Sequence, residues 1–486
     1  MTSPYHSILT PLSDVYELGG PEVFKHLQGK GNNKNLVLIT AEIAKQLNSS
    51  SSLMFGGKAA LSYLTEQINT EVSKDYVLHH ISPNLDVGYC TDDSLDSHSP
   101  ANKKPTIITT DDEQKLHYKS QGFPVEPPEF LLIDKSIVNE GMIFGNDPLL
   151  EQLYSKPVIT KEEAENILGR PLFLNQFVSF INPKNKSHIY SRVTGDLQKH
   201  DSRITAVKNS RLELLTPNSK GYEYNGRFFN NIFGIKPLNT EQFLAVQYGL
   251  LNPDVEVSFI CGSQGSGKTI LAYTSAVSLI CDYISKGSSN PSPANFDQIV
   301  LFKPNDVMGG KKREVGFLPG NLWEKLEEDL QPFEDAHNRS SLNTFNFSDM
   351  VLHPKRTNKY GPKREFSGII EGHWRLPIDR EAFRVLSSGK SRGVSLERTI
   401  MVIDESQNFT PYEMRTLLGR LGVGSKAIIL GDPDQFDNPL CSRDLNGLTA
   451  AVHHFMEKPY SFLINLNRNF RSQASNDTLT WTVFSQ

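Results

Sequence analysis

One short segment, Gly262-Ser-Gln-Gly-Ser-Gly-Lys-Thr269, constrains the fold of this 486-residue chain more than any other. It follows the apolar run 255–261 and precedes 268–286, whose pattern predicts an amphipathic helix. In the order strand, glycine-rich turn, helix, backbone N–H groups and the helix N-terminus point at a bound phosphate. The pattern G-x-x-x-x-G-K-[ST] therefore predicts a phosphate cradle. Its residues are Gly262, Ser263, Gln264, Gly265, Ser266, Gly267, Lys268 and Thr269.

Two side chains of this turn carry specific chemistry. We expect Lys268 to reach the β- and γ-phosphates of a nucleotide and the Thr269 hydroxyl to hold Mg²⁺. A glycine-rich turn without a ligand is the alternative. The strand before the turn and the helix after it favour the nucleotide site.

An acidic pair, Asp404 and Glu405, ends the apolar run in 398–406. Beside a phosphate cradle, Asp404 is expected to hold the magnesium shell and Glu405 to orient or deprotonate the attacking water. The alternative interpretation is a strand-end cap or solvated turn. An acid placed as a built-in base predicts hydrolysis of ATP rather than slow, switch-type turnover.

The surrounding pattern predicts an α/β fold with three parts. Four nearly continuous apolar runs, at 255–261, 296–304, 398–406 and 425–433, are typical of a parallel sheet covered by helices on both faces. We expect a small α/β domain over 1–135, a β-rich linker module over 136–225 and a nucleotide-binding domain over 226–486. Within the first part, 35–40 and 105–110 predict strands and 56–68 predicts a helix.

Four further polar residues flank these elements. Gln435 follows the run at 425–433, at the place of a γ-phosphate sensor in helicase-type ATPases. Gln242 lies before the first nucleotide strand, and its amide has a donor and an acceptor suited to the adenine edge; a surface glutamine is the alternative. Arg468 and Arg471 offer guanidinium groups that could stabilise transferring phosphate.

Composition excludes several classes of protein. The net charge of −5 gives no global basic field. The four cysteines lie far apart, so neither a disulfide framework nor a zinc site is expected. No apolar run approaches the roughly 20 residues of a membrane span, and the first residues do not match a secretion signal. We expect a cytoplasmic protein without membrane contact.

Several segments together resemble the PhoH-like family of ATPases. They are FGIKPLNTEQ, GSQGSGKT, VGFLPGNLWEKL, the stretch from DESQNFTPYEM to GDPDQFDNP, LNGLTAAV and NRNFRSQ, in family order across about 233–475. The GDPDQ and NFRS segments also resemble superfamily 1 helicase motifs. The resemblance implies a RecA-like core, ATP hydrolysis and a homo-oligomeric ring, with a hexamer as the expected form. It also implies Gln435 as sensor and Arg471 as arginine finger.

The first region resembles the PIN ribonuclease domain found in some PhoH-like proteins. A PIN site clusters about four carboxylates around Mg²⁺ or Mn²⁺. By position, the first two acids fall near Thr10 and Gln46, which carry no charge, and only Asp92 or Asp93 and Asp111 with Asp112 remain. We therefore expect a degenerate PIN-like domain; a helix N-terminal cap is the other interpretation of Asp111.

Two basic segments favour a nucleic-acid partner. Residues 308–320 and 353–366 are rich in lysine and arginine, and the second interleaves them with Tyr360 and Phe366. Two solvated loops are the alternative interpretation. The sequence predicts an ATPase that remodels or unwinds RNA or another single-stranded nucleic acid, so the expected partner is single-stranded RNA or DNA. The alternatives are an ATP-assisted PIN ribonuclease and a nucleotide-switched binding or scaffold protein.

Overall fold

A computed structural model describes most of the chain from residue 132 onward and short segments before it. The described residues are 7–9, 35–40, 77–82, 85–90, 107–108, 116, 119–120, 122, 124–126, 132–182, 186–201, 203–215, 221–224, 227–284, 292–304, 322–351, 366–377, 382–387, 395–438 and 440–478. Across these ranges, no helix has the length and apolar character needed to cross a membrane.

Six short strands are described before residue 132. They are β1 (Ser7–Leu9), β2 (Asn35–Thr40), β3 (Val77–Ser82), β4 (Leu85–Cys90), β5 (Ile107–Ile108) and β6 (Val125–Glu126). β1, β2 and β4 run parallel and β3 pairs antiparallel with β4. The strand predicted at 35–40 is confirmed, and β5 falls inside the one predicted at 105–110. The predicted helix at 56–68 lies outside the described residues.

Residues 142–215 form a mixed sheet with two helices, which we call the module. Its elements are β7 (Met142–Phe144), α1 (Asp147–Ser155), β8 (Val158–Thr160), α2 (Lys161–Leu168), β9 (Phe177–Ile181), β10 (His188–His200) and β11 (Arg203–Leu215). The order is β7-β9-β10-β11-β8, and only β7 and β9 are parallel. These five strands agree with the β-rich character predicted for 136–225.

A six-stranded parallel sheet forms the centre of the remaining chain. Its strands are β14 (Val257–Gly262), β16 (Gln298–Lys303), β19 (Phe383–Ser387), β20 (Thr399–Ile403), β21 (Lys426–Gly431) and β22 (Ser461–Leu466), in the order β19-β16-β20-β21-β14-β22. The four predicted strands are the inner ones, and β19 and β22 add the two edges. This topology confirms the predicted α/β class and is consistent with a RecA-like P-loop fold.

Helices cover both faces of this sheet. They are α3 (Thr240–Leu244), which continues as a π-helix over Ala245–Leu250, α4 (Lys268–Ile280), α5 (Leu322–Asn338), α6 (Phe347–Met350), α7 (Pro411–Leu418), α8 (Gly447–Phe455) and α9 (Gln473–Thr478). Short 3-10 helices span Lys135–Asn139, Ser341–Thr344 and Ser406–Asn408. A short antiparallel ribbon pairs β12 (Tyr222–Tyr224) with β13 (Arg227–Phe229). A small antiparallel sheet contains β15 (Asp282–Tyr283), β18 (Trp374–Pro377) and β17 (Phe366–Ile370), with β18 in the middle.

The prediction for α4 is wrong in two respects. The helix ends at Ile280 rather than near 286, because Asp282 and Tyr283 leave it to pair with β18. It is also not amphipathic, since every residue from Leu271 to Ile280 is buried. Contacts with α5, β16, β18 and the π-helix explain the burial, because no face of α4 is left for solvent.

The module packs on the sheet through an aromatic contact. The Phe177 ring meets those of Tyr248 and Phe462 edge-on, with centroids 5.8 and 5.9 Å apart. Before the module, the 3-10 helix Lys135–Asn139 places Val138 in the same buried cluster as the sheet residue Phe259. The chain therefore touches the central sheet before it enters the module. The domain boundaries at 135 and 225 stay predictions.

Candidate functional site

The turn between β14 and α4 has a backbone that needs glycine. Gly265 and Gly267 have φ of 75° and 93°, in the left-handed region. A Cβ at Gly267 would lie 2.8 Å from Gln242 Nε2, and one at Gly265 would lie 2.3 Å from Asn469 Oδ1. Gly267 is also the N-cap of α4, so the free N–H groups of the first helical turn face the loop.

Lys268 folds over this turn. Its Nζ donates to the carbonyl oxygen of Gly262 and, at 3.0 Å, to that of Ser263. Burial lowers the pKa of Lys268, and the carboxylates of Asp432, Glu405 and Asp404 act in the opposite direction. The hydroxyls of Ser263 and Ser266 in the same loop are buried without a hydrogen-bond partner. Unpaired hydroxyls around a partly buried ammonium suit an anionic ligand.

Asp404 and Glu405 follow β20 and differ in environment. Asp404 is 4% exposed, and its Oδ1 accepts the Glu405 N–H at 3.0 Å. Burial first, and then the Glu405 carboxylate, raise the pKa of Asp404 to about 6. Glu405 is exposed and has a φ of 51°, which is uncommon for a residue with a side chain. Such backbone strain concentrates at functional sites, and here it turns Glu405 away from its buried neighbours.

Gln407 connects the acidic pair to the neighbouring strand, although the sequence patterns do not single it out. Its Nε2 donates to Glu405 Oε2 at 2.7 Å and to the Gln435 carbonyl at 2.6 Å. Its Oε1 accepts the Asp432 N–H at 3.1 Å, and the side chain is fully buried. The only sequence signal is its place two residues after the acid. Gln407 therefore fixes Glu405 relative to the loop after β21.

Gln435 lies on that loop, residues 432–438, which we call the sensor loop. Its Nε2 donates to Asp432 Oδ2 at 2.8 Å. Burial raises the pKa of Asp432, while Lys268 acts to lower it. Asn408 holds the far end of the loop by accepting the Asp437 N–H at 2.7 Å. The structure thus places four predicted residues just after the carboxyl ends of the neighbouring strands β14, β20 and β21. They are Lys268, Asp404, Glu405 and Gln435.

Gln242 is tied to the turn rather than exposed. Its Nε2 donates to the Ser266 carbonyl at 2.8 Å and its Oε1 accepts the Leu238 N–H at 2.7 Å. Because the side chain is 3% exposed, the alternative of a surface glutamine is wrong. Its role at the adenine edge stays a prediction.

Arg471 lies against the turn of its own chain. A Cβ added at Gly265 would be 2.7 Å from Arg471 Cγ, and the Phe470 N–H donates to the Gly265 carbonyl at 3.0 Å. The Arg471 N–H is in turn held by Asn469 Oδ1 at 2.7 Å. Arg468 lies instead over the Phe470 ring, at 5.3 Å from its centroid. The structure brings Arg471, but not the Arg468 side chain, to the glycine turn by these contacts.

The donor set fits Mg²⁺ bound together with a nucleotide. Within the described residues, no three His, Cys, Asp or Glu side chains form a metal cluster. Mg²⁺ bound with phosphates needs only one or two protein carboxylates, and it keeps waters as other ligands. Asp404 supplies a buried carboxylate whose charge is disfavoured by burial and by Glu405, which a cation would offset. Thr269, in the first turn of α4, supplies the predicted hydroxyl.

Other predicted groups lie outside the described residues. These are the acids of the PIN-like region, with Thr10 and Gln46, and the basic segments 308–320 and 353–365. Their roles stay predictions.

Comparison with known proteins gives a consistent result. A family model described as PhoH-like protein matches residues 234–479. Protein PhoH2 of Bacillus subtilis is 28% identical over 50% of this chain and 46% of its own length. The PhoH-like protein of Mycobacterium leprae is 33% identical over 40% of this chain and 44% of its own, and Protein PhoH2 of Thermobispora bispora is 25% identical over 57% and 54%. The chain spans about half the length of the curated relatives it matches.

Proposed function

Because this chain belongs to the PhoH-like protein family, we propose that it binds ATP with Mg²⁺ at residues 262–269 and hydrolyses it. We further propose that hydrolysis drives the remodelling or unwinding of RNA or another single-stranded nucleic acid. The observation that carries the first step is the convergence of Lys268, Asp404 and Gln435 at the carboxyl ends of adjacent parallel strands. Ligands bind at this edge in open α/β sheets.

Each residue has a distinct task in the proposed reaction. Lys268 moves from the loop carbonyls to the β- and γ-phosphates, and its charge offsets theirs. Thr269 and Asp404 would hold the Mg²⁺, and the bound ion would supply positive charge that offsets charge developing on the phosphates. Glu405, held by Gln407, orients the attacking water and accepts its proton.

Two groups complete the site on the γ-phosphate side. Gln435 donates to the γ-phosphate from the sensor loop, and the Arg471 guanidinium stabilises charge that develops during transfer. The backbone contact between Phe470 and Gly265 supports an arginine that acts within its own subunit. We propose a homo-oligomer, with a hexamer as the assembly to test by light scattering.

The nucleic-acid step rests on charge and position. The basic segment 308–320 follows β16 in the sequence, and β16 ends at the same side of the sheet as β14, the strand before the phosphate turn. The segment 353–366 interleaves lysine and arginine with aromatic residues. Cations paired with phosphates and bases stacked on rings are the means by which single strands are held without sequence preference.

ATP turnover measured with single-stranded RNA, single-stranded DNA and duplexes tests the proposal. We expect the full chain to hydrolyse ATP and single-stranded RNA to accelerate it, with Lys268→Ala inactive in every arm. Turnover that no nucleic acid changes would contradict the remodelling step. Metal-dependent RNA cleavage in the same samples would instead support the ribonuclease alternative, and ATP binding without turnover would support the nucleotide switch.

A further inference from the structure

Residues 132–140, which we call the strap, lie near the carboxyl ends of the central strands, beside the proposed nucleotide site, although they precede the module in sequence. The strap contains the 3-10 helix Lys135–Asn139, whose N-cap Asp134 accepts the Ser136 N–H at 2.8 Å. Val138 is 4% exposed and packs in the core under the sheet. The strap is therefore anchored in the nucleotide-binding part of the fold.

The first end of the strap contacts the sensor loop. Lys135 Nζ lies 2.5 Å from Asp434 Oδ1, and the Lys135 N–H donates to Asp444 Oδ1 at 2.8 Å. The Ile133 N–H donates to the Asp444 carbonyl at 2.7 Å. Asp434 also pairs with Arg443 Nε at 3.1 Å. Two backbone contacts thus fix where the Lys135 side chain meets the loop.

Asp434 is connected to Gln435 through one carboxylate. The side chain of Asp432 accepts the Asp434 N–H at 3.0 Å through Oδ1 and the Gln435 Nε2 donor at 2.8 Å through Oδ2. A shift of Asp434 therefore changes the group that orients the Gln435 amide. Lys135 holds Asp434 from the outside of the loop, and Gln407 holds the Gln435 backbone from the inside.

The other end of the strap contacts the segment that leads to Arg471. Asn139 Oδ1 accepts a hydrogen bond from Asn465 Nδ2 at 2.7 Å, near the end of β22. The next residue, Glu140, accepts Gln176 Nε2 of the module on its carbonyl at 2.7 Å. The strap thus joins the module to both segments that carry γ-phosphate-facing groups.

We propose that Lys135 is a positioning residue that, through Asp434, sets the Gln435 amide for the γ-phosphate and so couples the nucleotide state to the strap and the module. This inference rests on the proposed function, because it takes Gln435 to face a γ-phosphate. The Lys135 and Asp434 side chains are 37% and 47% exposed, so their ion pair adds little to folding stability. A contact of that kind can form and break with the bound nucleotide.

Affinities of the full chain for Mg-ADP and for a non-hydrolysable Mg-ATP analogue test the inference. Lys135→Met should lower the affinity for the ATP analogue by up to about fivefold, which is the range of a partly exposed ion pair. It should leave ADP affinity and the melting temperature unchanged. Lys135→Arg should have the wild-type affinity for the ATP analogue. Lys135→Met added to Asp434→Asn should have no further effect. The matched control is Lys161→Met, which breaks the 2.6 Å Lys161–Glu165 pair in the module and should change neither affinity.

Two results would overturn the inference. One is an analogue-to-ADP affinity ratio in Lys135→Met equal to that of the wild type. The other is an equal loss for both nucleotides with a lower melting temperature, which would make Lys135 merely structural. Wild-type turnover of ATP, measured in the same samples, decides the proposed function separately. If the wild type binds both nucleotides without turnover, the hydrolysis proposal fails and the affinity ratio still decides the role of Lys135. If the wild type binds neither nucleotide, both the proposed function and the role of Lys135 are overturned.

Discussion

Replacing Gln407 by methionine should reduce both stability and turnover, because its amide makes three hydrogen bonds in a place that solvent does not reach. Two of the bonds are to backbone groups, each worth about 1 kcal/mol net, and the one to the Glu405 carboxylate is worth about 1.5–3 kcal/mol. Together they give a loss of roughly 3.5–5 kcal/mol in the free energy of unfolding. Methionine has a similar volume, so we expect little additional cost from a cavity.

The kinetic effect follows from the same contacts. A positioned general base contributes about 10²–10⁴-fold to a rate, and part of that positioning is lost with Gln407. We expect kcat to fall by at least about tenfold while ADP affinity is unchanged, since the hydrogen bonds of Gln407 involve no residue of the 262–269 turn. Steady-state turnover, ADP titration and a thermal melt measure the three quantities.

The matched control is Gln298→Met. Gln298 donates to Thr399 Oγ1 at 3.0 Å, at the opposite end of the neighbouring strands β16 and β20. It should lose some stability and keep its kcat. A Gln407→Met variant with wild-type kcat would refute the reasoning, because Glu405 would then not depend on this amide.

Three further predictions follow from the structure. Glu405→Gln should still bind ATP but hydrolyse it about 10²-fold more slowly or worse, as measured by nucleotide titration and turnover; loss of binding would instead make Glu405 a metal ligand or a structural residue. Arg471→Ala should slow hydrolysis with little change in ATP affinity, and mixing it with Lys268→Ala subunits should not restore activity, because the contacts next to Arg471 are with its own turn; recovered turnover would show that the arginine acts on a neighbouring subunit. Burial lowers the pKa of Lys426 to about 7, although its Nζ donates to three carbonyl oxygens, so the unfolded chain binds more protons between pH 7 and the ordinary lysine pKa of 10.5. The free energy of unfolding of the wild type should therefore contain a contribution that rises with pH over that range, and Lys426→Met should lack this contribution in urea melts. Identical pH profiles for the two proteins would contradict the shift.

The parts of the site that the sequence predicts are those fixed by local order. The glycine turn lies between its own strand and helix, and Asp404 and Glu405 directly follow an apolar strand, so neighbouring residues suffice to place them. The four inner strands are also visible because burial on both faces leaves nearly continuous apolar runs. Arg384 interrupts the apolar pattern of the edge strand β19, so the sequence does not predict that strand.

The parts that the sequence does not predict depend on contacts between distant residues. Nothing near Gln407 indicates that its amide reaches a carbonyl 28 positions away. Lys135 reads as an isolated surface lysine until the fold brings it to Asp434. The length of α4 has the same origin, because β18 draws residues 282–283 out of the helix. Local propensity cannot anticipate such tertiary effects.

The central claim is that the turn at 262–269 hydrolyses ATP with Mg²⁺, and steady-state phosphate release tests it most directly. The full chain should release phosphate from ATP, and Lys268→Ala, with an unchanged melting temperature, should release none above background. Equal rates from the wild type and a folded Lys268→Ala variant would contradict the claim.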